Sequence, residues 1–579
     1  VSRSSSNTFG ESNAALESSR APGWVDLLIV AGLVGALYGL TRTVQEWTGA
    51  LRPTVDIDLS PTALPRYAFF SLCRGLIAYV FSLGFTLAYG YWAAKDARAE
   101  RVLLPLLDIL QSIPVLGFMP GLVLALVAAF PRSNVGLELA AVVMIFTGQA
   151  WNMTFSYYHS LRSVPQEQRE AATVYRFNGW QRLRWVELPF ATIGLVWNSM
   201  MSMAGGWFFL MINEAFVLGD RDFRLPGLGS YMSVAVARGD SAAMAWAVLA
   251  MTAMIVLLDQ LLWRPVVVWA QKFRTEEGGE VAQMGSWFLT LLRRSTLVAA
   301  LKQAGRRRAQ DSAPARPSVM LRAGRRLSPR LPRQVSHVLL VVLVLALLVG
   351  AGRLMLILRD VPLAHWGDTL GKALLTLGRV LLATCLGTVW AVPAGLAIGL
   401  SPRLSRLLQP VIQVVASFPA PMLFPMVIAA LTVLGVGLGW GSMWLMLLGT
   451  QWYILFNVVA GATAIPADLR EMAASYRLGV WRRFWSLYLP AVFPYLVTGW
   501  VTAAGGAWNA SIVSEYVTFR GHVLTAPGLG SQISEAAASA NFPLLSASVV
   551  VMSVMVVTFN RLVWRRLHRL AETRFSLSK

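Results

Sequence analysis

Residues 165–189 read PQEQREAATVYRFNGWQRLRWVELP and residues 466–490 read PADLREMAASYRLGVWRRFWSLYLP. At an offset of 301 the two stretches share Pro165/Pro466, Glu170/Glu471, Tyr175-Arg176/Tyr476-Arg477, Trp180/Trp481 and Leu188-Pro189/Leu489-Pro490. The register continues downstream, pairing Trp207 with Trp508, Glu214 with Glu515, Pro226–Gly229 with Pro527–Gly530 and Trp263-Arg264 with Trp564-Arg565. Upstream the offset becomes 305, pairing Arg74 with Arg379, Pro105 with Pro410, Pro114 with Pro419 and Pro120 with Pro425, so four residues are missing between Pro425 and Trp452. Matches at a fixed register over so much of the chain mean one structural unit present twice, in parallel.

The composition says what kind of unit. Of 579 residues, 56% are hydrophobic and only 14% charged, and the mean hydropathy is +0.56. That is a membrane protein. A spanning helix needs roughly 20 apolar residues, and about six such runs fall in each repeat: near 25–45, 67–94, 105–130, 137–160, 190–213 and 242–270, then near 336–358, 369–400, 408–435, 440–463, 491–514 and 544–564. The expected fold is therefore an all-α integral membrane protein with two tandem parallel-repeat transmembrane domains of about six helices each. The domains are expected at 24–272 and 335–566, with a polar tail at 1–23, a basic linker at 273–334 and a C-terminal tail at 567–579. The apolar run from Trp24 follows a Ser-rich start without a clear small-residue cleavage site, so it reads as a retained first span.

Lys and Arg outnumber Asp and Glu by 21, and the distribution explains the excess. From Arg293 to Arg333 there are twelve basic residues and one acid, Asp311. Aromatic stacking residues are absent among these arginines, so a nucleic-acid surface is set aside for a topogenic linker attracted to anionic headgroups. Positive loops stay cytoplasmic, and six spans return the chain to its starting side. Both termini, this linker and the loops at 95–104, 161–188, 401–407 and 464–489 should then share the cytoplasmic side. Two cysteines, Cys73 and Cys385, make no disulfide framework, and five scattered histidines make no metal site.

The quoted stretches lie between the fourth and fifth spans. Proline can open a helix and acidic residues favour its N-terminal turn, so each should form a short helix projecting from the membrane, with Leu-Pro marking re-entry. With Glu-Ala-Ala followed by Leu-Pro at that place, the chain resembles the inner-membrane permease subunits of ATP-binding-cassette importers, and most closely a fused tandem form of the nitrate/sulfonate/taurine permease type. The resemblance implies a coupling helix in each half, with Glu170, Ala171, Ala172, Leu188 and Pro189, and Glu471, Ala473, Ala474, Leu489 and Pro490, as the elements that dock an ATPase. It further implies two copies of that ATPase subunit, a separate extracytoplasmic solute-binding protein, a small anionic solute and residence in a bacterial inner membrane. The family's glycine follows its Ala pair by about four residues, whereas Gly179 and Gly479 lie further on and one register apart; Met472 replaces the first Ala.

No phosphate-cradling loop is encoded: the nearest approach, Gly367–Ala373, is one residue short and has Ala at the magnesium-binding position. ATP and magnesium are therefore expected on the partner, with no cofactor in this chain. Polar residues within spans are the default functional candidates. Glu214 and Glu515 are weighed as a gate against a structural role beside an arginine. Gln111, Gln149, Gln413, Gln451 and Asn509 are weighed as lining a pathway against helix–helix hydrogen bonding. Arg74 and Arg379 are weighed as attracting an anionic solute against snorkelling to the outer interface, with snorkelling expected, and the proline pairs at 114/120 and 419/425 are expected to break or kink the third spans. A secondary transporter with parallel repeats is the alternative; it requires charged residues deep in the spans, and the matched acids lie near an end. An intramembrane enzyme lacks a matched nucleophile, base or metal cluster.

Overall fold

The computed structural model describes residues 23–218, 221–273, 285–300, 303–304, 333–519 and 521–575. The N-terminal tail to residue 22, most of the linker with Asp311 and nine of its arginines, and the last four residues lie outside the described residues. Lipid offers no partner for backbone N–H and C=O groups, so apolar runs of this length satisfy them internally as helices. The first repeat contains α1 (Trp24–Thr48), α2 (Leu64–Lys95), α3 (Ala97–Ser112), α4 (Val115–Ala129), α5 (Val135–Arg162), α6 (Gln166–Val174), α7 (Gly179–Asn213), the hairpin β1–β2 (Ala215–Leu218, Arg221–Arg224), α8 (Leu228–Arg238) and α9 (Ser241–Phe273). The short α10 (Trp287–Arg294) follows in the linker. The second repeat contains α11 (Arg333–Leu358), α12 (Leu363–Leu400), α13 (Pro402–Ser417), α14 (Phe424–Val433), α15 (Leu438–Thr463), α16 (Ala467–Ser475), α17 (Val480–Ser514), the hairpin β3–β4 (Tyr516–Phe519, His522–Thr525), α18 (Leu529–Ala538) and α19 (Phe542–Arg574). Among the described residues ten helices are long and apolar enough to cross a membrane, or up to twelve if each of two bent helix pairs is one span. The fold is thus helical and duplicated as expected. The two antiparallel hairpins, four residues per strand, are elements that apolar periodicity did not reveal.

Two stretches expected as cytoplasmic loops are helical. The chain turns at Asp96, whose carboxylate accepts the N–H groups of Arg98 and Ala99 at 2.9 and 3.4 Å and so starts α3. Ser401 does the same for Leu404, with Pro402 in the first turn of α13. The expected third spans are each two helices, bent by 97° between α3 and α4 and by 83° between α13 and α14. The first proline of each pair makes the break: Ile113 and Phe418, which precede Pro114 and Pro419, are pushed to extended backbone. Pro120 lies inside α4, and Pro425 in the first turn of α14, where no N–H is needed.

By contacts the described residues fall into two compact units. One holds those of Val1–Glu46, Ser160–Trp197 and Val256–Leu331; the other holds those of Trp47–His159, Asn198–Ile255 and Pro332–Lys579. The division cuts through α5, α7 and α9 and therefore does not follow the repeat. Within the smaller unit, Asp26 of α1 accepts hydrogen bonds from the Ser295 and Thr296 hydroxyls at 2.5 and 2.6 Å, and Trp287 of α10 donates to Gln260 of α9 at 2.9 Å. The start of the linker is therefore pinned to the spans. In the larger unit a ladder of small and branched residues packs α12, α15 and α17 together, among them Ala391, Val392, Ile454, Val458 and Val492. The apolar faces of α11 are exposed in the protein alone, with none of its most apolar window buried, which fits a lipid-facing helix.

One difference between the repeats matters later. In the first, the connection from α1 to α2 is an extended strap: Gly49 accepts from Asn134 N, Pro53 from Arg224 N, and Leu59 from the Tyr231 hydroxyl at 2.7 Å. In the second, only residues 359–362 join α11 to α12, and there is no strap.

Candidate functional sites

Each loop between the fourth and fifth spans is built alike. A proline at the N-cap, Pro165 or Pro466, opens a nine-residue helix. The helix closes with the N–H of Phe177 on Ala172 O, and the N–H of Leu478 on Ala473 O, a six-to-one closure that requires a left-handed residue just before. That residue is Arg176, with φ 51°, and Arg477, with φ 49°. These arginines lie four residues after Ala172 and Ala473, where the resemblance puts a glycine. Gly179 and Gly479 have no such role: Gly179 opens the short turn that begins α7, with Asn178 and Gln181 as a reciprocal cap, and Gly479 is an ordinary extended N-cap. The constant offset of the Tyr-Arg pair was the signal that would have found the position.

Glu170 and Glu471 are exposed, and so are Ala171, Met472 and Ala474, whereas Ala172 and Ala473 are buried at about 1% and 0%. The buried pair packs its helix against the protein, and spacing alone could not tell the alanines apart. Around the exposed glutamates lie uncovered aromatic and apolar side chains: Tyr175 at 75%, Trp180 and Trp185 in one loop, and Tyr476, Val480 at 86%, Trp481 and Trp485 in the other. Such surface is unusual on a polar loop and marks an interaction site. Arg182 and Arg483, which match at offset 301, each have an Nε with no hydrogen-bond partner among the described residues.

Leu188-Pro189 and Leu489-Pro490 do not begin new helices. They lie within α7 and α17, one residue after five-residue π turns at Leu183–Glu187 and Phe484–Tyr488. The N–H of Leu188 bonds Leu183 O, and that of Leu489 bonds Phe484 O, five residues back. A widened turn removes the clash between the proline ring and the preceding turn, so the helix runs on through Leu188-Pro189 and Leu489-Pro490 without a break.

At the other end of α5 and α15 each repeat buries an arginine–glutamate cluster. In the first, Arg74 Nη1 donates to Glu214 Oε1 at 2.8 Å and to Pro226 O at 2.9 Å, while Nε and Nη2 hold both oxygens of Glu138 at 2.5 and 2.7 Å. The Ser71 hydroxyl and the N–H of Gly229 complete Glu214 at 2.6 and 2.7 Å. In the second, Arg379 Nη1 donates to Glu515 Oε1 at 2.7 Å and Pro527 O at 2.9 Å, Thr376 donates to Glu515 at 2.9 Å, and Gly530 N at 2.8 Å. The Pro-Gly-Leu-Gly segments are the entries to α8 and α18. Their glycines admit the carboxylate: a Cβ on Gly227 would lie 2.3 Å from Glu214, and one on Gly528 2.2 Å from Glu515. Glu214 and Glu515 thus tie the hairpin and the next helix to the second span of each repeat. Arg74 is 1% exposed and does not snorkel; in lipid a charge this deep is kept by its partners.

The remaining candidates are not brought together. Gln149 is buried between α2 and α7, accepting from Ser82 at 3.3 Å and donating to Met203 Sδ at 3.4 Å. Gln451 accepts from the Trp390 indole at 3.0 Å. Gln111 and Gln413 are half-buried on α3 and α13. Asn509 reaches across the repeats, accepting the N–H of Val115 at 2.9 Å. Among the described residues no hydrogen bond joins any two of these five, and Gln149 and Gln451 each bond a side chain of a neighbouring helix. No group of three or more His, Cys, Asp or Glu among the described residues could hold a metal ion.

The model of one family, binding-protein-dependent transport system inner membrane component, matches residues 83–262 and again residues 387–576. Curated relatives include a bicarbonate transport system permease protein of Synechocystis sp., 27% identical over 146 residues, which are 25% of this chain and 51% of the relative. A nitrate import permease protein of Leptolyngbya laminosa is 27% identical over 143 residues, 25% of this chain and 50% of the relative. The taurine transport system permease protein of Escherichia coli is 24% identical over 181 residues, 31% of this chain and 62% of the relative. The chain spans about half the length of the first of these relatives. The two family matches cover both repeats, including both loops with their exposed glutamates and aromatic residues. The chain belongs to the binding-protein-dependent transport system inner membrane components, and it carries their domain twice.

Proposed function

We propose that this chain is the translocating permease of an ATP-driven importer for a small anion such as nitrate, bicarbonate or a taurine-like sulfonate. Separate ATPase subunits, one for each loop, carry ATP and magnesium, and a binding protein delivers the solute on the opposite face. The membrane is the bacterial inner membrane, with both termini and the basic linker cytoplasmic. The observation that carries the proposal is the pair of matched loops, each presenting an exposed glutamate among uncovered tryptophan and tyrosine side chains at the head of a long apolar helix. ATP-driven closure of the partner subunits moves the levers α6–α7 and α16–α17, and the energy of the shift is the difference in ATPase affinity for the two permease states. Rigid continuity matters here, because a flexible joint at Leu-Pro would dissipate the motion.

The test is co-purification of the ATPase with the wild-type chain and with a Glu170→Arg, Glu471→Arg double variant. Association and uptake should both be lost in the variant; undiminished association with both changes in place contradicts the assignment. Uptake that ignores ATP but collapses with the membrane potential supports the ion-driven alternative instead.

A further inference from the structure

The fifth spans of the two repeats differ along one stripe. On α17, Thr498, Thr502, Gly505 and Asn509 stand at helical spacing and share a face. In the protein alone Thr498 and Gly505 are exposed, and Thr502 and Asn509 are half-buried. The Thr498 and Thr502 hydroxyls donate one turn back to Pro494 O and Thr498 O at 3.1 and 2.9 Å. Asn509 accepts the N–H of Val115 in the first repeat, which turns this face towards the other repeat and not towards lipid. The register counterparts on α7 are Trp197, Met201, Ala204 and Phe208, so one fifth span carries polar groups where the other carries none. The second repeat is also the one without a strap, and both differences leave the same half open.

A single side chain stands between the fifth spans beside this stripe. Gly205 and Gly506 match at offset 301. A Cβ on Gly506 would lie 3.3 Å from the Tyr453 ring, and one on Gly205 would lie 3.9 Å from the Tyr453 hydroxyl. Tyr453 of α15 therefore bridges matched positions of α7 and α17, all three residues belonging to the larger unit. A Cβ on Gly505 would meet no atom within 4 Å, so space opens on the adjoining face. Tyr453 is half-buried, and its hydroxyl makes no hydrogen bond among the described residues. At a depth where lipid supplies no partner, a hydroxyl left bare is costly. The counterpart in the first repeat is Asn152, which lacks the reach of a phenol ring.

We propose that the solute passes along the polar stripe of α17 and that Tyr453 is its specificity-determining contact, the ring narrowing the path between Gly205 and Gly506 and the hydroxyl donating to the anion. The proposal rests on the importer reading and names a residue that selects within it. The contact suits a small oxyanion: the solute needs an oxygen acceptor for the one free donor and a cross-section that passes a tyrosine edge. A neutral hydroxyl also holds an anion loosely enough for it to leave, as transit requires.

The experiment uses the whole importer, with its ATPase subunits and binding protein, in proteoliposomes offered nitrate, bicarbonate or taurine. Tyr453→Phe keeps the ring and removes the donor. Uptake should fall about tenfold or more, the loss expected for a hydrogen bond to an ion, while ATPase association and the unfolding midpoint stay unchanged. Unchanged uptake by Tyr453→Phe overturns the proposal, because a tyrosine that only packs is replaced by phenylalanine without loss. The narrow point is tested without solute or ATP. In a Cys385→Ser background, an impermeant anionic thiosulfonate added opposite the loops should label Thr498→Cys several-fold faster when Tyr453→Ala is also present. Val523→Cys, on the β3–β4 hairpin, should label at one rate in both backgrounds. Equal rates at Thr498→Cys overturn the path as described; Tyr453→Leu replaces Tyr453→Ala should the latter fail to assemble. No uptake of the three solutes by the wild type, with the labelling as expected, sinks the importer reading and leaves the path. Normal uptake by Tyr453→Phe sinks the contact and leaves the importer.

Discussion

The side-chain oxygen of Asn509, on α17 of the second repeat, accepts the N–H of Val115, the first residue of α4 in the first repeat, at 2.9 Å. Pro114, the N-cap of α4, has no side chain that can accept this donor, so the cap comes from the other repeat. The 97° bend at Pro114 frees the N–H, and the polar residue facing it answers the cost of leaving a donor bare in lipid.

Asn509→Ala should therefore destabilise the folded chain by about 1 kcal/mol, the usual loss for a helix cap, while Asn509→Asp retains the acceptor. Thermal unfolding in nanodiscs measures this; equal midpoints for Asn509→Ala and the wild type contradict a capping role.

Arg74→Met leaves two carboxylates in the buried cluster without their cation, a change that costs about 3–5 kcal/mol when one partner of a buried pair is removed. Arg379→Met strands only Glu515, at a site with partial water access, and should be the milder of the two. Expression level and unfolding midpoint give the ranking, and a more stable Arg74→Met than Arg379→Met contradicts the cluster as described.

Arg477 holds a left-handed backbone that costs a side-chain-bearing residue about 1–2 kcal/mol. Arg477→Gly should raise or leave unchanged the unfolding midpoint, and Arg477→Val should lower it, because a β-branched residue is least tolerated there. The order Val above Gly contradicts the closure of α16.

Asp96 fixes the elbow between α2 and α3 to α11, accepting from the Ser336 hydroxyl at 2.6 Å. That hydroxyl, followed by the N–H groups of Arg98 and Ala99, holds the Asp96 carboxyl below the usual carboxylate range. A depressed folded-state value means the contribution is present above the ordinary carboxylate range and is lost as pH falls through it. Between pH 6 and 3.5 the wild type should lose more of its unfolding midpoint than Asp96→Asn, which has no proton to gain; parallel curves contradict the link.

Fold class was legible because lipid imposes a strong rule: each run of about twenty apolar residues becomes a helix, and a fixed offset repeats it. The loop pair at 165–189 and 466–490 was legible for the same reason. Three things were not. Charged stretches after Lys95 and Leu400 read as loops by composition, but single capping residues, Asp96 and Ser401, turn them into helices at once. Arg74 read as a snorkelling cation because its partners, Glu138 and Glu214, are 64 and 140 residues away, and no local pattern joins them. The burial of Ala172 and Ala473 beside exposed Ala171, Met472 and Ala474 was not legible either, because spacing gives a helix face but does not say which face the rest of the protein covers.

The central claim is that the loops, and not the opposite ends of the spans, grip an external ATPase. Photo-crosslinking from a benzoylphenylalanine at position 481 or at position 440 separates these directly, since Trp481 and Trp440 are similarly exposed at 72% and 69%, Trp440 in the first turn of α15 and Trp481 in the loop region beyond its other end. Crosslinks to the ATPase subunit from position 481 and none from position 440 are expected. ATPase crosslinked from position 440, or position 481 left without a partner in the intact complex, contradicts the account.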